Sequence, residues 1–206
     1  VRIWLNDRLV LDKWNARGLQ FYSVEASFEA GRKMPVKIEY INKTGAAACM
    51  LVSDFGNSDQ IDKVKEFVSG ADLVLVALGN DEKLARELPS IYLPMTQELL
   101  LKEIYKVNPR TALILHTGNP LTSKWAAEHV PAILQAWYPG QEGGKALAGI
   151  LFGSENPSGK LPMTIYESEE QLPDILDYDI WKGRTYQYLS SKPLYGFGHG
   201  LSYSNF

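Results

Sequence analysis

The chain lacks residues that several protein classes require. Among its 206 residues there is a single cysteine, Cys49, which excludes an internal disulfide framework and a cysteine-rich zinc site. The three histidines, His116, His129 and His199, show no metal-ligand spacing. We therefore predict no metal site and no cofactor, and we expect each histidine to be a structural group satisfied by its neighbours.

The chain also has no basic excess and no long apolar run. Its formal net charge is −3 and its pI is near 5.7, so nucleic acid is not the expected partner. The longest apolar runs, such as ADLVLVALG and TALILHTG, are much shorter than the roughly 20 residues that span a bilayer, and no membrane partner is expected. Because the sequence opens in the middle of a strand pattern, VRIWLNDRLV, we expect the chain to be part of a longer protein.

The first 53 residues indicate antiparallel β-structure. In VRIWLNDRLVLDKWN, apolar residues on both sides of NDR predict a β-hairpin. FYSVEASFEA and MPVKIEYINK alternate with period two around GRKMP, which predicts a second strand pair with one solvated face. This segment is too short for a complete sandwich. We therefore predict a β-sandwich fragment over residues 1–53 and a second domain over residues 54–206.

From Asp59 onward, strand-like and helical patterns alternate. Residues 59–70 predict a helix, and a second helix is predicted from near Thr96 to before Pro109. Continuous apolar runs predict buried parallel strands. These runs are ADLVLVALG, RTALILHTG and VPAILQAWYPG, with GGKALAGILFG as a further helix and GKLPMTIY as a final strand. The order predicts an α/β fold, a three-layer α/β/α sandwich with a mostly parallel sheet.

Ligands in such sheets bind beyond the carboxyl ends of the strands, so the segments after the apolar runs are the candidate sites. Four segments qualify: GNDEKLARELPS, TGNPLTSKW, WYPGQEGG and YESEEQLPD. The glycines of GQEGG do not form G-x-G-x-x-G, and the Lys-Ser/Thr of a phosphate-binding loop is absent. We expect Gly140, Gly143 and Gly144 to allow a tight turn before the next helix.

Two stretches together resemble a known family. VPAILQAWYPGQEGGKALAGILFGSENPSGKLPMTIYES, followed by RTYQYLSSKPLYGFGHGLSYSNF, resembles the C-terminal sandwich domain of glycoside hydrolase family 3. This is the family of β-glucosidases, β-xylosidases and related exo-acting enzymes. The resemblance runs from about Asp59 to Phe206. Residues 1–53 look like the end of a protective-antigen-type carbohydrate-binding β-sandwich, which some family members carry as an insertion.

The resemblance implies a retaining mechanism, in which an Asp nucleophile and a Glu acid/base act on a β-linked oligosaccharide or glycoside. The nucleophile of the family lies on an N-terminal (β/α)₈ barrel that this chain does not contain. The acid/base usually comes from the C-terminal domain. We therefore expect the chain to be inactive without that barrel. The alternative is a non-catalytic carbohydrate-binding or interaction domain.

Within GNDEKLARELPSIYLP, residues 79–94, the resemblance favours Glu87 as the proton donor. Ala85 and Arg86 before it, and the Leu-Pro pair and the Gln after it, resemble the family pattern. Many members carry Glu-Gly-x-Asp-Arg here, whereas Leu88 follows Glu87 directly and shortens the loop. Glu82 is the reserve candidate, and solvated surface charges remain the alternative for both glutamates.

Two aromatic residues follow the third buried strand. Trp137 and Tyr138 could form a wall against a sugar ring, although filling of the core is the favoured interpretation. Glu142 and Arg184 are polar residues of the same motifs, and we expect them to pair loops with each other or with their neighbours.

The β-sandwich fragment also contains possible sugar contacts, which are Trp4, Trp14 and Asp12. Because its aromatic residues alternate with other apolar residues, we expect the two tryptophans to face the core of the module.

Overall fold

The computed structural model describes residues 1–14, 22, 24, 26–27, 29, 31–41, 58–80, 90–174 and 177–204. The chain divides into two compact units. The first comprises Val1–Ser53 with Asp174–Tyr178, and the second comprises Asp54–Pro173 with Asp179–Phe206. Each unit has its own β-sheet. No helix in the described part of the chain is long and apolar enough to cross a membrane.

The first unit contains an antiparallel sheet with the strand order β2-β1-β3. Its strands are β1 (Arg2–Leu5), β2 (Arg8–Asp12) and β3 (Val36–Glu39). Asn6 and Asp7 connect β1 to β2 with φ angles of 48° and 59°, as a tight type I′ turn requires. The predicted hairpin is therefore confirmed. The predicted strand at residues 21–30 lies largely outside the described residues, and β3 pairs with β1.

The second unit contains a parallel sheet with the strand order β4-β5-β6. Its strands are β4 (Val74–Gly79), β5 (Thr111–His116) and β6 (Ala132–Gln135), and its helices are α1 (Ser58–Ser69), α2 (Met95–Val107), α3 (Lys124–His129) and α4 (Gly143–Leu151). The prediction of an α/β fold with a parallel sheet is confirmed. The short helix α3 was not predicted. Its first turn is capped by the Ser123 hydroxyl, which accepts a hydrogen bond from the Ala126 amide (3.2 Å).

The core of this unit forms where α2 packs on the sheet. Leu101 of α2 is completely buried, and Val76 and Leu113 on the adjacent strands are 6% and 1% exposed. Asn108, directly after α2, is also buried, and its side-chain amide donates to the carbonyls of Val68 (3.0 Å) and Ala71 (2.8 Å). These two bonds fix the end of α1 beside the start of β4 without leaving the buried amide unpaired.

The predicted final strand, GKLPMTIY at residues 159–166, is wrong. Within this segment Ile165 forms a single antiparallel bridge with Tyr195. Leu161 also exchanges backbone hydrogen bonds with Gly198 and His199 near the end of the chain. Residues 162–164, between these contacts, form no bridge with the end of the chain, so the two contacts do not join into a strand.

Candidate functional site

The three parallel strands end at one edge of the sheet. Gly79, the last residue of β4, pairs in register with His116, the last residue of β5. Leu115 is in turn opposite Gln135, the last residue of β6. The connections that follow the three strands therefore start side by side. Because this edge carries the carboxyl ends of parallel strands, it is where α/β sheets bind ligands.

Gly79 brings the backbone of β4 unusually close to β5. Its φ angle is 148°, and a Cβ atom at this position would lie 1.8 Å from the carbonyl oxygen of His116. Only glycine fits such an approach. The side chain of Gln97 on α2 closes the strand end, since its Oε1 accepts from the Gly79 amide (2.8 Å) and its Nε2 donates to the Gly79 carbonyl (2.7 Å).

Asn80 is the first residue beyond β4. The Asn80 amide donates to the carbonyl of His116 (3.1 Å), and the Asn80 carbonyl accepts from the hydroxyl of Tyr138 (2.8 Å). The Asn80 side-chain oxygen lies 3.2 Å from the same hydroxyl, and its buried Nδ2 has no partner among the described residues. Turning this amide over would let Nδ2 donate to Tyr138 and would put the oxygen in the place of Nδ2. In either orientation one buried polar atom of Asn80 has no partner in the part of the chain that the structure describes.

Trp137 and Tyr138 follow β6 at the same edge. Trp137 is half-buried and has a φ angle of 55°, which is rare for a bulky residue. Tyr138 is 40% exposed, with its hydroxyl bound to Asn80. Tyr138 thus has a partly open ring, which a residue that only filled the core would not have. The positive φ angle of Trp137 is local backbone strain. Such strain persists where the surrounding structure fixes it, and it is frequent at functional sites.

The connection after β5 is braced from β6. Thr117 is completely buried, and its hydroxyl donates to the carbonyl of Asn119. Gln135 in turn donates from Nε2 to the Thr117 hydroxyl (3.3 Å). Both bonds lie at the carboxyl edge, so this part of the edge is held by the side chains of Thr117, which follows β5, and Gln135, the last residue of β6.

The two predicted acid/base candidates, Glu82 and Glu87, lie outside the described residues, in segment 81–89. The described residues on each side of the segment are Asn80 and Ser90. Both have side-chain partners from elsewhere in the chain, which are Tyr138 for Asn80 and Glu169 for Ser90. Asn80 and Glu169 were not predicted as site residues, although both lie in segments that follow apolar runs and were therefore candidate positions.

The other polar residues of the motifs have ordinary surroundings. Glu142 precedes α4 and forms an exposed ion pair with Lys145 (3.8 Å), and the nearby Gly143 amide donates to the Gly140 carbonyl (3.0 Å). Arg184 lines a small cavity of about 190 Å³. Neither residue lies among the side chains described above at the carboxyl edge.

The candidate sugar contacts of the first unit are in contact with basic side chains of the antiparallel sheet. The Arg2 guanidinium lies 4.2 Å from the ring centroid of Trp14 and donates to the Asp12 carboxylate (3.1 Å). The Lys37 ammonium lies 4.6 Å from the ring centroid of Trp4. Both tryptophans are half-buried, so neither is a fully enclosed core residue.

Two of the three histidines, His129 and His199, have aromatic neighbours. The His129 ring stacks on Trp125 with centroids 4.7 Å apart, and the His199 ring stacks on Tyr195 at 4.8 Å. Burial raises the pKa of the Tyr195 phenol. Among the residues that the structure describes, no three His, Cys, Asp or Glu side chains are grouped so that they could hold a metal ion.

The sequence matches the family profile of the glycosyl hydrolase family 3 C-terminal domain over residues 10–203. The chain belongs to this family. The predicted resemblance to the family 3 C-terminal domain is thereby confirmed, and the match begins well before Asp59. The interpretation of residues 1–53 as the tail of a carbohydrate-binding module stays a prediction.

Curated relatives of this family 3 chain include two glycosidases. A xylan 1,4-beta-xylosidase from Xylanibacter ruminicola is 45% identical over 117 residues, which cover 57% of this chain and 13% of the relative. A protein named Probable beta-glucosidase I from Emericella nidulans is 37% identical over 161 residues, which cover 71% of this chain and 19% of the relative. The matched region thus makes up a fifth or less of each relative.

Solved family 3 structures share the fold. The β-glucosidase from Kluyveromyces marxianus, crystallised with glucose, superposes with a TM-score of 0.66 at 21% identity. The match covers 99% of this chain and 28% of that structure. At this level of identity the likeness establishes the fold, including the arrangement of the parallel sheet.

Proposed function

We propose that this family 3 chain is the part of a retaining, exo-acting β-glycosidase that supplies the acid/base residue, and that the residue is Glu87. The β-xylosidase and β-glucosidase names of the relatives support this class of reaction. The observation that carries the proposal is the position of Asn80 and Ser90. Asn80 lies at the carboxyl edge of the sheet and Ser90 is bound by Glu169, so segment 81–89 starts where α/β domains bind ligands.

The proposed chemistry needs two carboxyl groups on opposite sides of the anomeric carbon. A carboxylate nucleophile attacks that carbon, while protonated Glu87 gives its proton to the leaving oxygen. Deprotonated Glu87 then takes a proton from the water that hydrolyses the glycosyl-enzyme intermediate. To act as an acid near neutral pH, Glu87 needs a raised pKa, which apolar surroundings provide. Leu88, Ile91 and Tyr92 are the nearby residues that would provide them.

We propose that the nucleophile lies on a (β/α)₈ barrel outside residues 1–206, and that the first unit is the end of a carbohydrate-binding module inserted in the family 3 domain. The small share of each relative that this chain covers supports the first point, and the antiparallel sheet supports the second. The sequence upstream of Val1 tests both. It should encode the remaining strands of a β-sandwich and, before them, a barrel with an Asp at a strand end. A different upstream domain would contradict the proposal.

The central experiment compares Glu87→Ala with the unchanged full-length protein on aryl β-glucosides and β-xylosides. Substrates with poor leaving groups need the acid, so we expect kcat/KM to fall by roughly 10²- to 10⁴-fold for them. Substrates with good leaving groups should lose far less in the glycosylation step. Added azide should restore part of the turnover, because an anionic nucleophile needs no general base.

Glu82→Ala is the matched control, since it removes a second glutamate from the same segment. It should keep the kinetics of the unchanged protein on both kinds of substrate. Residues 1–206 alone should show no hydrolysis. If Glu87→Ala affected both kinds of substrate equally and azide had no effect, Glu87 would not be the acid/base. The shortened loop after Glu87 would then favour the non-catalytic alternative.

We further propose that the ring of Tyr138, together with Trp137, contributes to the wall of the sugar site. Tyr138→Phe keeps the ring and removes the hydroxyl that binds Asn80, whereas Tyr138→Ala removes both. If the ring contacts the sugar, KM should rise roughly 2- to 10-fold in the alanine variant and stay near its original value in the phenylalanine variant. Equal KM values in the two variants would remove Tyr138 from the sugar site.

A further inference from the structure

Glu169 connects the last candidate segment, YESEEQLPD, to the end of the segment that contains Glu87. One carboxylate oxygen of Glu169 accepts a hydrogen bond from the Ser90 hydroxyl (2.5 Å) and another from the Ile91 amide (3.2 Å). The Glu169 amide donates in turn to the hydroxyl of Tyr92 (3.1 Å). Three consecutive residues are therefore bound to one glutamate from a distant part of the sequence.

This connection is additional to the backbone pairing that fixes the same stretch. The Leu93 amide donates to the Thr122 carbonyl (3.0 Å), and the Thr122 amide donates to the Ile91 carbonyl (2.7 Å). Leu93 is 3% exposed and Thr122 is 1% exposed, so this pairing is part of the packed interior. Glu169 binds Ser90, which lies outside that pairing and is the described residue nearest to Glu87 in the sequence. Hydrogen bonds to an ionised carboxylate are stronger than neutral ones, so Ser90 is held more firmly than by the backbone pairing alone.

The sequence distance makes Ser90 the important anchor for Glu87. Glu87 precedes Ser90 by three residues, whereas it follows Asn80 by seven. A fully extended chain covers at most about 3.6 Å per residue, so fixing Ser90 confines the Cα of Glu87 to within roughly 11 Å of it. The maximum distance of the Glu87 Cα from the Asn80 Cα is more than twice as large. A shift of the Ser90 end therefore changes where the Glu87 carboxyl can be presented.

We propose that Glu169 is a positioning residue for the acid/base of this enzyme, acting through Ser90. The inference rests on the proposed function of Glu87. Glu169 orients the start of the described chain after segment 81–89, and Glu87 transfers the proton. Misplacement of a catalytic group by about 1 Å can lower the rate roughly 10²-fold, so the effect of removing Glu169 should be measurable.

The test uses the full-length protein with Glu169→Ala and Glu169→Gln. The glutamine keeps an oxygen that can accept both hydrogen bonds but loses the negative charge. We expect kcat/KM for substrates with poor leaving groups to fall roughly 10- to 100-fold in Glu169→Ala and less in Glu169→Gln. Substrates with good leaving groups should change little. Because a misplaced Glu87 would be more hydrated, the basic limb of the pH profile should move to lower pH.

Glu167→Ala is the matched control. Glu167 lies two residues before Glu169 in the same segment, but its carboxylate pairs with Lys124 of α3 (2.8 Å). It should keep the leaving-group dependence and pH profile of the unchanged protein. Ser90→Ala should reproduce part of the effect of Glu169→Ala, because the Ile91 amide keeps its bond to the Glu169 carboxylate. The double variant should lose no more than Glu169→Ala alone, because that variant already breaks the bond to Ser90. Thermal unfolding of each variant separates this effect from a general loss of stability.

The outcomes distinguish this inference from the proposed function. If Glu87→Ala shows the leaving-group effect and Glu169→Ala does not, Glu87 remains the acid/base and the positioning role is wrong. If Glu169→Ala and Glu167→Ala lose activity equally on both kinds of substrate, Glu169 is only a structural brace and the inference is overturned. If Glu87→Ala shows no leaving-group effect, the proposed function fails and the role of Glu169 fails with it.

Discussion

The antiparallel sheet of the first unit and the parallel sheet of the second each have three described strands, yet their side chains are buried to different extents. No residue of β1, β2 or β3 is fully buried, and Leu9 and Val36 are 44% and 46% exposed. In β5, by contrast, Leu113 and Ile114 are 1% and 6% exposed. Both sheets pair three strands, so backbone pairing alone does not account for the difference.

Helix α2 covers the parallel sheet, with Leu101 and Ile104 in its core. The described strands of the first unit instead carry cations over half-buried tryptophans, as in Arg2 over Trp14. Such contacts are worth only about 0.5–1 kcal/mol each at exposed sites. The comparison indicates that paired strands by themselves contribute modestly to the free energy of unfolding. The larger contribution comes from the places where a second layer packs on the sheet.

The largest difference should appear on truncating one leucine in each sheet. Leu113→Ala leaves a cavity in the core of the second unit and should lower the free energy of unfolding by about 2–5 kcal/mol. Leu9→Ala removes a side chain that is already 44% exposed and should cost much less. Chemical denaturation followed by tryptophan fluorescence measures both values. Equal destabilisation would mean that the antiparallel sheet is covered as fully as the parallel one.

A smaller difference is expected between two glycines with positive φ, one in each unit. Gly79→Ala places a methyl group 1.8 Å from the His116 carbonyl oxygen, whereas Gly31→Ala, at φ 77°, meets no atom within 4 Å. Both variants bear the cost of a left-handed backbone, about 1–2 kcal/mol. Only Gly79→Ala adds overpacking, about 1–3 kcal/mol more. Similar shifts in the midpoint of unfolding would show that β4 and β5 can move apart to accommodate the methyl group without further loss of stability.

Local patterns predicted those elements whose own residues determine them. The β1–β2 hairpin follows from Asn6 and Asp7, which tolerate positive φ between two apolar stretches. The strands β4, β5 and β6 follow from continuous apolar runs. The burial predicted for all three is found in β5, whereas Leu75 of β4 is 46% exposed and β6 has no fully buried residue. Helix α3 was missed because its six residues are too few to show helical periodicity. Its stability depends on the Ser123 cap and on the burial of Ala126.

Elements that depend on distant partners could not be predicted in this way. GKLPMTIY was predicted as a strand, but its backbone partners lie near the end of the chain and meet it only at Leu161 and Ile165. At the candidate site, the position of the edge followed from the order of strands and helices. The bonds from Tyr138 to Asn80 and from Glu169 to Ser90 join residues 58 and 79 positions apart, and no local pattern contains that information.

The separation between Ser90 and Glu169 also sets an order in time during synthesis. Glu169 is added 79 residues after Ser90, which corresponds to roughly 4–16 s at the usual rate of about 5–20 residues per second. By then β4, β5 and β6 have all been synthesised. The sheet can therefore form on the ribosome before the carboxylate that binds Ser90 exists. A nascent chain ending before Glu169 would carry the complete edge and still present Ser90 without its carboxylate partner.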